Sequence, residues 1–243
     1  MDWQIIWLNE TTSTNDALRQ LAQQGAPAGT VVVADHQTAG RGRRGNPWVA
    51  PAGRNLLVSI LLRPEFPMEI WPQLTHATAL ALAQFLESTG LTPQIKWPND
   101  VLVNDRKICG ILLETFTHQE GAFVILGLGL NVNETAEEFP PELASTATSL
   151  AIETQRPWDR EEVLDSLLQH IDDCWWRVAE HFPAMLRAVE RRSHLTGHRI
   201  SLEREGRVEQ GIVRGLSHSG GLLLEDDSGQ LQVIHSAETL RKI

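Results

Sequence analysis

Two apolar runs, residues 30–34 (Thr30-Val31-Val32-Val33-Ala34) and residues 55–62 (Asn55-Leu56-Leu57-Val58-Ser59-Ile60-Leu61-Leu62), flank a stretch centred on Gly40-Arg41-Gly42-Arg43-Arg44-Gly45. The β-branched and leucine-rich runs predict buried strands. Asn46-Pro47 and Ala50-Pro51-Ala52-Gly53 exclude a helix between them, so the fold must accommodate a long, irregular, basic connection. From His36 to Leu62 there is no Asp or Glu, in a chain of net charge −10. Glycines let backbone N–H groups approach an anion, arginines add planar cationic forks, and Trp48 offers a flat surface for a heterocycle. This connection reads as a loop that holds a nucleotide phosphate; a solvated arginine-glycine turn is the plainer alternative. Gly40-x-Gly42-x-x-Gly45 matches the letters of the dinucleotide fingerprint, but that fingerprint needs a helix starting inside the glycines. No GxxxxGK[ST] run is present.

The 243 residues allow one large domain, or one with a small companion, and a 42% hydrophobic content supplies a core. The acidic balance argues against nonspecific DNA or anionic-membrane binding. Cys109 and Cys174 make neither a disulfide framework nor a zinc site. Met1-Asp2-Trp3-Gln4 is not a signal sequence, so a soluble cytoplasmic protein is expected.

Residues 3–8 predict a short strand, and residues 11–16 (Thr-Thr-Ser-Thr-Asn-Asp) a capping cluster before a helix closed by Gly25. Capping is the ordinary role of Ser13 or Thr14; a polar helix start can equally hold a polar ligand. A helix follows Pro72 and ends at Gly90, with His76 read as structural. Residues 101–103 and 107–114 predict a hairpin around Asn104-Asp105-Arg106. Trp97-Pro98 is a rigid corner presenting Asn99 and Asp100, and Lys107 opens an otherwise apolar strand, where snorkelling is its bland explanation. Cys109 reads as a small buried residue, with a nucleophile as the alternative. A strand over 122–130 carries Gly127 and Gly129 on one face, leaving room against the backbone for a ligand or merely marking a bulge. Helices are expected over 160–181 and 183–191, with Trp175 and Trp176 packed beneath them. After Gly197, four short strands predict a small β-barrel on the mixed α/β body.

Taken together, Ser13-Thr14-Asn15, Gln37-x-x-Gly40-Arg41-Gly42-Arg43-Arg44-Gly45-x-x-Trp48, Lys96-Trp97-Pro98-Asn99-Asp100, Arg106-Lys107-x-x-Gly110-Ile111-Leu112 and Gly127-x-Gly129-x-Asn131 resemble the biotin protein ligase family. The resemblance covers residues 10–135 strongly and the remainder loosely. It implies an α/β (α+β) fold: a mixed β-sheet with packed helices, like class II aminoacyl-tRNA synthetases and biotin/lipoate ligases, over residues 1–192. An SH3-like β-barrel would follow over 193–243. It implies ATP and biotin as substrates, with Mg2+ neutralising the triphosphate; the metal ligands stay unknown. Biotin would be activated as biotinyl-5′-AMP and passed to a lysine of a biotin carboxyl carrier protein.

By the same resemblance, Lys107 and Arg43 are the catalytic pair. Ser13, Thr14 and Gln37 take the ureido head of biotin, and Asn15 belongs to the biotin site. Gly40, Arg41, Gly42, Arg43, Lys107, Gly110, Leu112, Gly127 and Gly129 complete the biotin site. Arg41, Arg43, Trp48, Lys96, Asn99, Asp100 and Asn131 bind ATP or the adenylate, with the loop of residues 38–48 ordering over it. Bifunctional members carry an N-terminal DNA-binding domain; with the ligand motif beginning at Ser13, a short monofunctional form without operator binding is expected. A homodimer is compatible with the family, and no membrane partner is implied. The alternatives are a lipoate- or octanoate-handling ligase or transferase, for which Cys109 would be the nucleophile, and a noncatalytic biotin-binding regulator.

Overall fold

The computed structural model describes residues 1–118 and 121–243. In chain order the elements are β1 (Gln4–Thr11), α1 (Thr14–Gln23), β2 (Thr30–Gln37), β3 (Leu56–Leu62), α2 (Gln73–Ser88), β4 (Pro93–Lys96), β5 (Asp100–Val103), β6 (Arg106–His118) and β7 (Gly121–Leu130). Then follow α3 (Leu150–Thr154), α4 (Arg160–Trp175), α5 (Val178–Glu190) and the strands β8 (Arg199–Arg204), β9 (Arg207–Leu216), β10 (Leu222–Glu225), β11 (Leu231–Ile234) and β12 (Thr239–Lys242).

The first seven strands form one sheet in the order β1-β2-β3-β7-β6-β5-β4. Only β1 and β2 are parallel; every other neighbouring pair is antiparallel. Successive side chains alternate faces along a strand, and the sequence of β7 shows what each face is for. Val124, Leu126, Leu128 and Leu130 join α2, α4 and α5 in the main core. On the opposite face Phe123 and Ile125 pack beneath α1, while Gly127 and Gly129 come next and leave that face open. Strand β3 repeats the pattern, with Leu61 under α1 and Ser59 beside the opening. The site is therefore the half of one sheet face that α1 does not cover.

The alanines of α2 (Ala77, Ala79, Ala81 and Ala83) are all buried, as a helix packed closely between a sheet and further helices requires. The hairpin joining β5 and β6 turns at Asn104 and Asp105, both at positive φ (50° and 60°), the backbone of a type I′ turn. Two expectations fail further on. The break between α4 and α5 falls at Trp176-Arg177, and Pro183 lies inside α5 rather than opening it. Trp175 is buried and donates from Nε1 to Thr78 Oγ1 at 2.9 Å, whereas Trp176 is 65% exposed and stacks with Arg177. Adjacent helical residues point about 100° apart, so two neighbouring tryptophans cannot both enter one interface.

Strands β8–β12 form a five-stranded antiparallel sheet in the order β11-β10-β9-β8-β12 with its own apolar core. It is fastened to the first sheet at β4: Ile95 N donates to Arg192 O at 2.7 Å and His194 N to Ile95 O at 2.9 Å. Trp97 enters the core of the second sheet and donates to Gly220 O at 3.1 Å. His76 also packs on Gly220, and burial lowers its pKa to about 4, as a neutral structural histidine requires. Among the described residues no helix is long and apolar enough to cross a membrane.

Candidate active site

A cavity of about 250 Å3 opens on the uncovered half of the sheet. The two ends of its lining differ in chemistry. At one end the start of α1 contributes Ser13, Thr14 and Asn15, and the end of β2 contributes Gln37. Ser13 occupies the N-cap position in extended backbone, yet its side chain makes no capping bond. Gln37 takes over part of that work: its Oε1 accepts from Thr14 N at 2.7 Å and from Thr14 Oγ1 at 3.0 Å. One of the orphan N–H groups of the helix is thus satisfied from a neighbouring strand, which leaves Ser13 facing the cavity. Ser59 lies within hydrogen-bond reach of Thr14 Oγ1 at 2.7 Å and of Asn15 Oδ1 at 2.5 Å. The result is a neutral, polar end suited to a ligand group carrying both donors and acceptors.

The floor is glycine. A Cβ on Gly127 would stand 2.6 Å from Asn15 Oδ1, and one on Gly110 would stand 2.9 Å from Trp48 Cζ3. On Gly129 it would come within 2.5 Å of Trp48 Cζ2. Gly110 pairs with Gly129 and Leu112 with Gly127 across β6 and β7, so the four form one patch. The Trp48 indole lies over it, and Lys107 Nζ sits 5.2 Å from the indole centroid. Trp48 Nε1 is buried without a protein partner.

The cationic end follows from an irregularity that the sequence does not display. Between β5 and β6 the register slips: Val101 faces Cys109, but Leu102 faces Lys107. The extra residue, Ile108, goes into the core with Cys109, and the bulge turns Lys107 onto the face of Gly110. Lys107 Nζ pairs with Asp100 Oδ1 at 2.7 Å. Cys109 is fully buried, and burial pushes its thiol well above the ordinary range, which removes its capacity as a nucleophile.

The glycine-arginine loop is a small closed hairpin. Trp48 N donates to Gly40 O at 2.9 Å and Gly42 N to Asn46 O at 2.7 Å, and residues 43–45 make a single 3-10 turn with Arg44 at φ 57°. The three arginines have different surroundings. Arg41 is bidentate on Asp16 at 2.5 and 2.8 Å and reaches Glu114 at 3.3 Å. Arg44 pairs with Glu238 of the second sheet at 3.1 Å. Arg43 has no ion pair among the described residues; its nearest polar partner is Asn99 Oδ1 at 3.5 Å. Burial, followed by the proximity of Arg44, lowers its pKa, so it is a cation held where an anion would relieve it.

Of the residues singled out in the sequence, Ser13, Thr14, Asn15, Gln37, Arg41, Gly42, Arg43, Trp48, Lys96, Asn99, Asp100, Lys107, Gly110, Leu112, Gly127 and Gly129 all line this one cavity. Two do not. Gly40 is at the loop stem, where a Cβ would meet Trp48 O at 2.6 Å. Asn131 is buried, donating to Thr148 O at 2.9 Å, with Asn55 3.5 Å from its Oδ1. The sequence reading missed Ser59, Glu114 and residues 237–240. A serine inside Leu-Leu-Val-Ser-Ile-Leu-Leu was a usable signal, since a polar group in a buried strand needs a partner. Nothing local marks Ala237–Leu240, which reach the cavity only because the second sheet folds back over it.

Residues 7–131 match the biotin/lipoate A/B protein ligase family, and residues 196–239 match the biotin protein ligase C-terminal domain. The chain is 35% identical to the bifunctional ligase/repressor of Bacillus subtilis over 241 residues, covering 98% of this chain and 74% of that protein. It is 36% identical to the biotin–[acetyl-CoA-carboxylase] ligase of Paracoccus denitrificans over 238 residues, covering 95% of this chain and 98% of that one. The chain belongs to the biotin protein ligase family. Among solved structures, the biotin protein ligase of Aquifex aeolicus in complex with biotin and ATP superposes with a TM-score of 0.86 at 33% identity, over 98% of this chain and 99% of that one. The fold class expected from the sequence is the one found.

Proposed function

We propose that this ligase activates biotin with ATP and transfers it to a lysine of a biotin carboxyl carrier protein. The observation that carries the reading is the polarity of this cavity: a neutral hydrogen-bonding end at residues 13–15 and Gln37, a glycine floor, and, at the other end, Lys107 with Arg43, which has no ion pair among the described residues. Such a cleft takes an elongated acid whose head is uncharged and whose carboxylate must meet a phosphate.

In the first half-reaction a carboxylate oxygen of biotin attacks the α-phosphorus of ATP; the bond to the bridging oxygen breaks and pyrophosphate leaves. The protein needs to align the two anions and neutralise them. Lys107 would stabilise charge between carboxylate and α-phosphate, exchanging Asp100 for the substrates, while Arg43 would take the phosphate oxygens. Ser13, Thr14, Asn15 and Gln37 would hold the ureido head, Gly110, Leu112, Gly127 and Gly129 the rings and chain, and Trp48 would cover the assembly. Lys96, Asn99 and Asp100 would form the nucleotide side, while Asn131, buried against Thr148 outside the cavity, would act only as a support beneath it. In the second half-reaction the acceptor amine attacks the acyl carbon, the acyl–oxygen bond breaks, and AMP departs with its phosphate. Covering the mixed anhydride keeps water from the same carbon.

Among the described residues no group of three or more His, Cys, Asp or Glu side chains could hold a metal ion. The residues present do not build a resident Mg2+ site. The ion would enter on the triphosphate of the substrate, in keeping with its habit of binding through phosphates and few carboxylates.

The thioester route of an octanoyl transferase is disfavoured by the burial of Cys109. Pyrophosphate release tests the reading: it should depend on biotin and ATP together. Release that follows lipoate instead would move the protein to the lipoate branch, and the absence of release with either acid would leave it a binding protein.

A further inference from the structure

Two carboxylates beside the cavity have no part in the chemistry above. Asp16, in the first turn of α1, and Glu114, on β6, both face the guanidinium of Arg41. The contact with Asp16 is a two-pronged fork, whereas Glu114 Oε2 is shared: it accepts from Asn15 Nδ2 at 2.6 Å and lies 3.3 Å from Arg41 Nη2. Asn15 is in turn bonded to Ser59 through Oδ1 and closes over Gly127. An unbroken line therefore runs from the neutral end of the cavity, through Asn15 and Glu114, to the stem of the glycine-arginine loop.

We infer that Arg41 is a positioning residue that fastens the loop to the biotin-reading end of the cavity through Asp16 and Glu114, and is not a phosphate ligand. Three observations support this. Arg41 has its charge matched by two carboxylates, while Arg43, two residues later, has none among the described residues. The mutual hydrogen bonds lower the pKa of Asp16 and raise that of Arg41, so that both stay charged and paired. A phosphate ligand would have to leave a bidentate partner at 2.5 and 2.8 Å, whereas Arg43 would give up nothing comparable. Because Glu114 is a common node, loosening the loop would disturb Asn15, and filling the neutral end would brace the loop. For its kinetic arm the inference rests on the ligase reading above.

The two models of Arg41 predict opposite signs. If Arg41 is a fastener, Asp16→Asn frees the loop: trypsin should cut the ligand-free protein after Arg43 and Arg44 about tenfold faster, and the KM for ATP and for biotin should rise by a similar factor. The kcat for adenylate formation at saturation should fall much less. If Arg41 is a phosphate ligand, Asp16→Asn releases it for that task, so the KM for ATP should fall and the tryptic rate stay unchanged; that result overturns the inference. Glu114→Gln, which keeps an acceptor for Asn15 but removes the charge, should move the tryptic rate and the KM for ATP in the same direction as Asp16→Asn, by less. Should Asp16→Asn unfold, Asp16→Glu supplies the decision: recovery of the slow tryptic rate supports the fastener and a rate still tenfold raised contradicts it. The proteolysis uses no substrate. If the wild-type protein made no adenylate, the ligase reading would fail while the loop result still stood or fell by itself.

Discussion

Replacing Gly129 by alanine is a narrow test of how the cavity is floored. A Cβ at this position would lie within 2.5 Å of Trp48 Cζ2 and 2.9 Å of its Nε1, where carbon–carbon contact is comfortable at about 3.5–4.0 Å. The indole must therefore move by roughly 1 Å or more. Trp48 sits on the loop and is not part of any of the three apolar clusters of the protein, so the displacement should be absorbed by the loop. Inserting a methyl group into a packed contact typically costs about 1–3 kcal/mol. The ligand's rings are placed on the same floor, and a similar cost borne by them is, at 1.4 kcal/mol per decade, a loss of about 5- to 150-fold in affinity. Calorimetric titration of biotin should show this loss in Gly129→Ala, and thermal unfolding without ligand should shift by no more than a few degrees. Wild-type affinity in the variant would refute the packing argument. A fall in global stability matching the fall in affinity would show instead that Trp48 belongs to the core.

Other outcomes follow from the same geometry. Lys107→Met should leave the fold intact and reduce the rate of adenylate formation about 10²- to 10³-fold, measured in single turnover, since it removes the charge at the reacting centre. Cys109→Ala should keep adenylation and transfer near wild-type rates, measured by pyrophosphate release and acceptor biotinylation; abolition of transfer in a folded variant would revive the thioester route. Glu134 is buried against Asn55 Nδ2 at 2.5 Å, and burial raises its pKa above the ordinary carboxylate value. A raised folded-state pKa gives stability that is full below the unfolded value and is lost as pH rises through the folded one. Denaturant titrations should therefore show wild-type stability falling as pH climbs from about 4.5, and Glu134→Gln should flatten that limb; an unchanged slope would contradict the assignment.

How much could be read beforehand differs from one part of the molecule to the next. Strands β2, β3 and β7 were legible because each is a short apolar run bounded by turn residues, and the Asn104-Asp105 turn because its residues tolerate positive φ. The lining of the cavity was legible because most of it lies in short polar motifs at strand and helix ends, where side chains are free of packing duties. Three things were not. The bulge that aims Lys107 depends on how β6 pairs with β5, which no local pattern announces. The neutralisation of Arg41 joins residues 25 and 73 positions apart, so three arginines that look alike in sequence divide into two fasteners and one without an ion pair among the described residues. Asn131 is buried with its amide bonded to Thr148 O, seventeen residues on, which no local pattern announces.

In the proposed reaction, one cavity joins biotin to the α-phosphate of ATP. Native mass spectrometry of the protein after incubation with ATP, Mg2+ and biotin, with lipoate present as a competitor, tests it most directly. The retained mass should equal biotinyl-5′-AMP and should accumulate far more slowly in Lys107→Met. A retained lipoyl adenylate, or biotin held without AMP, would contradict it.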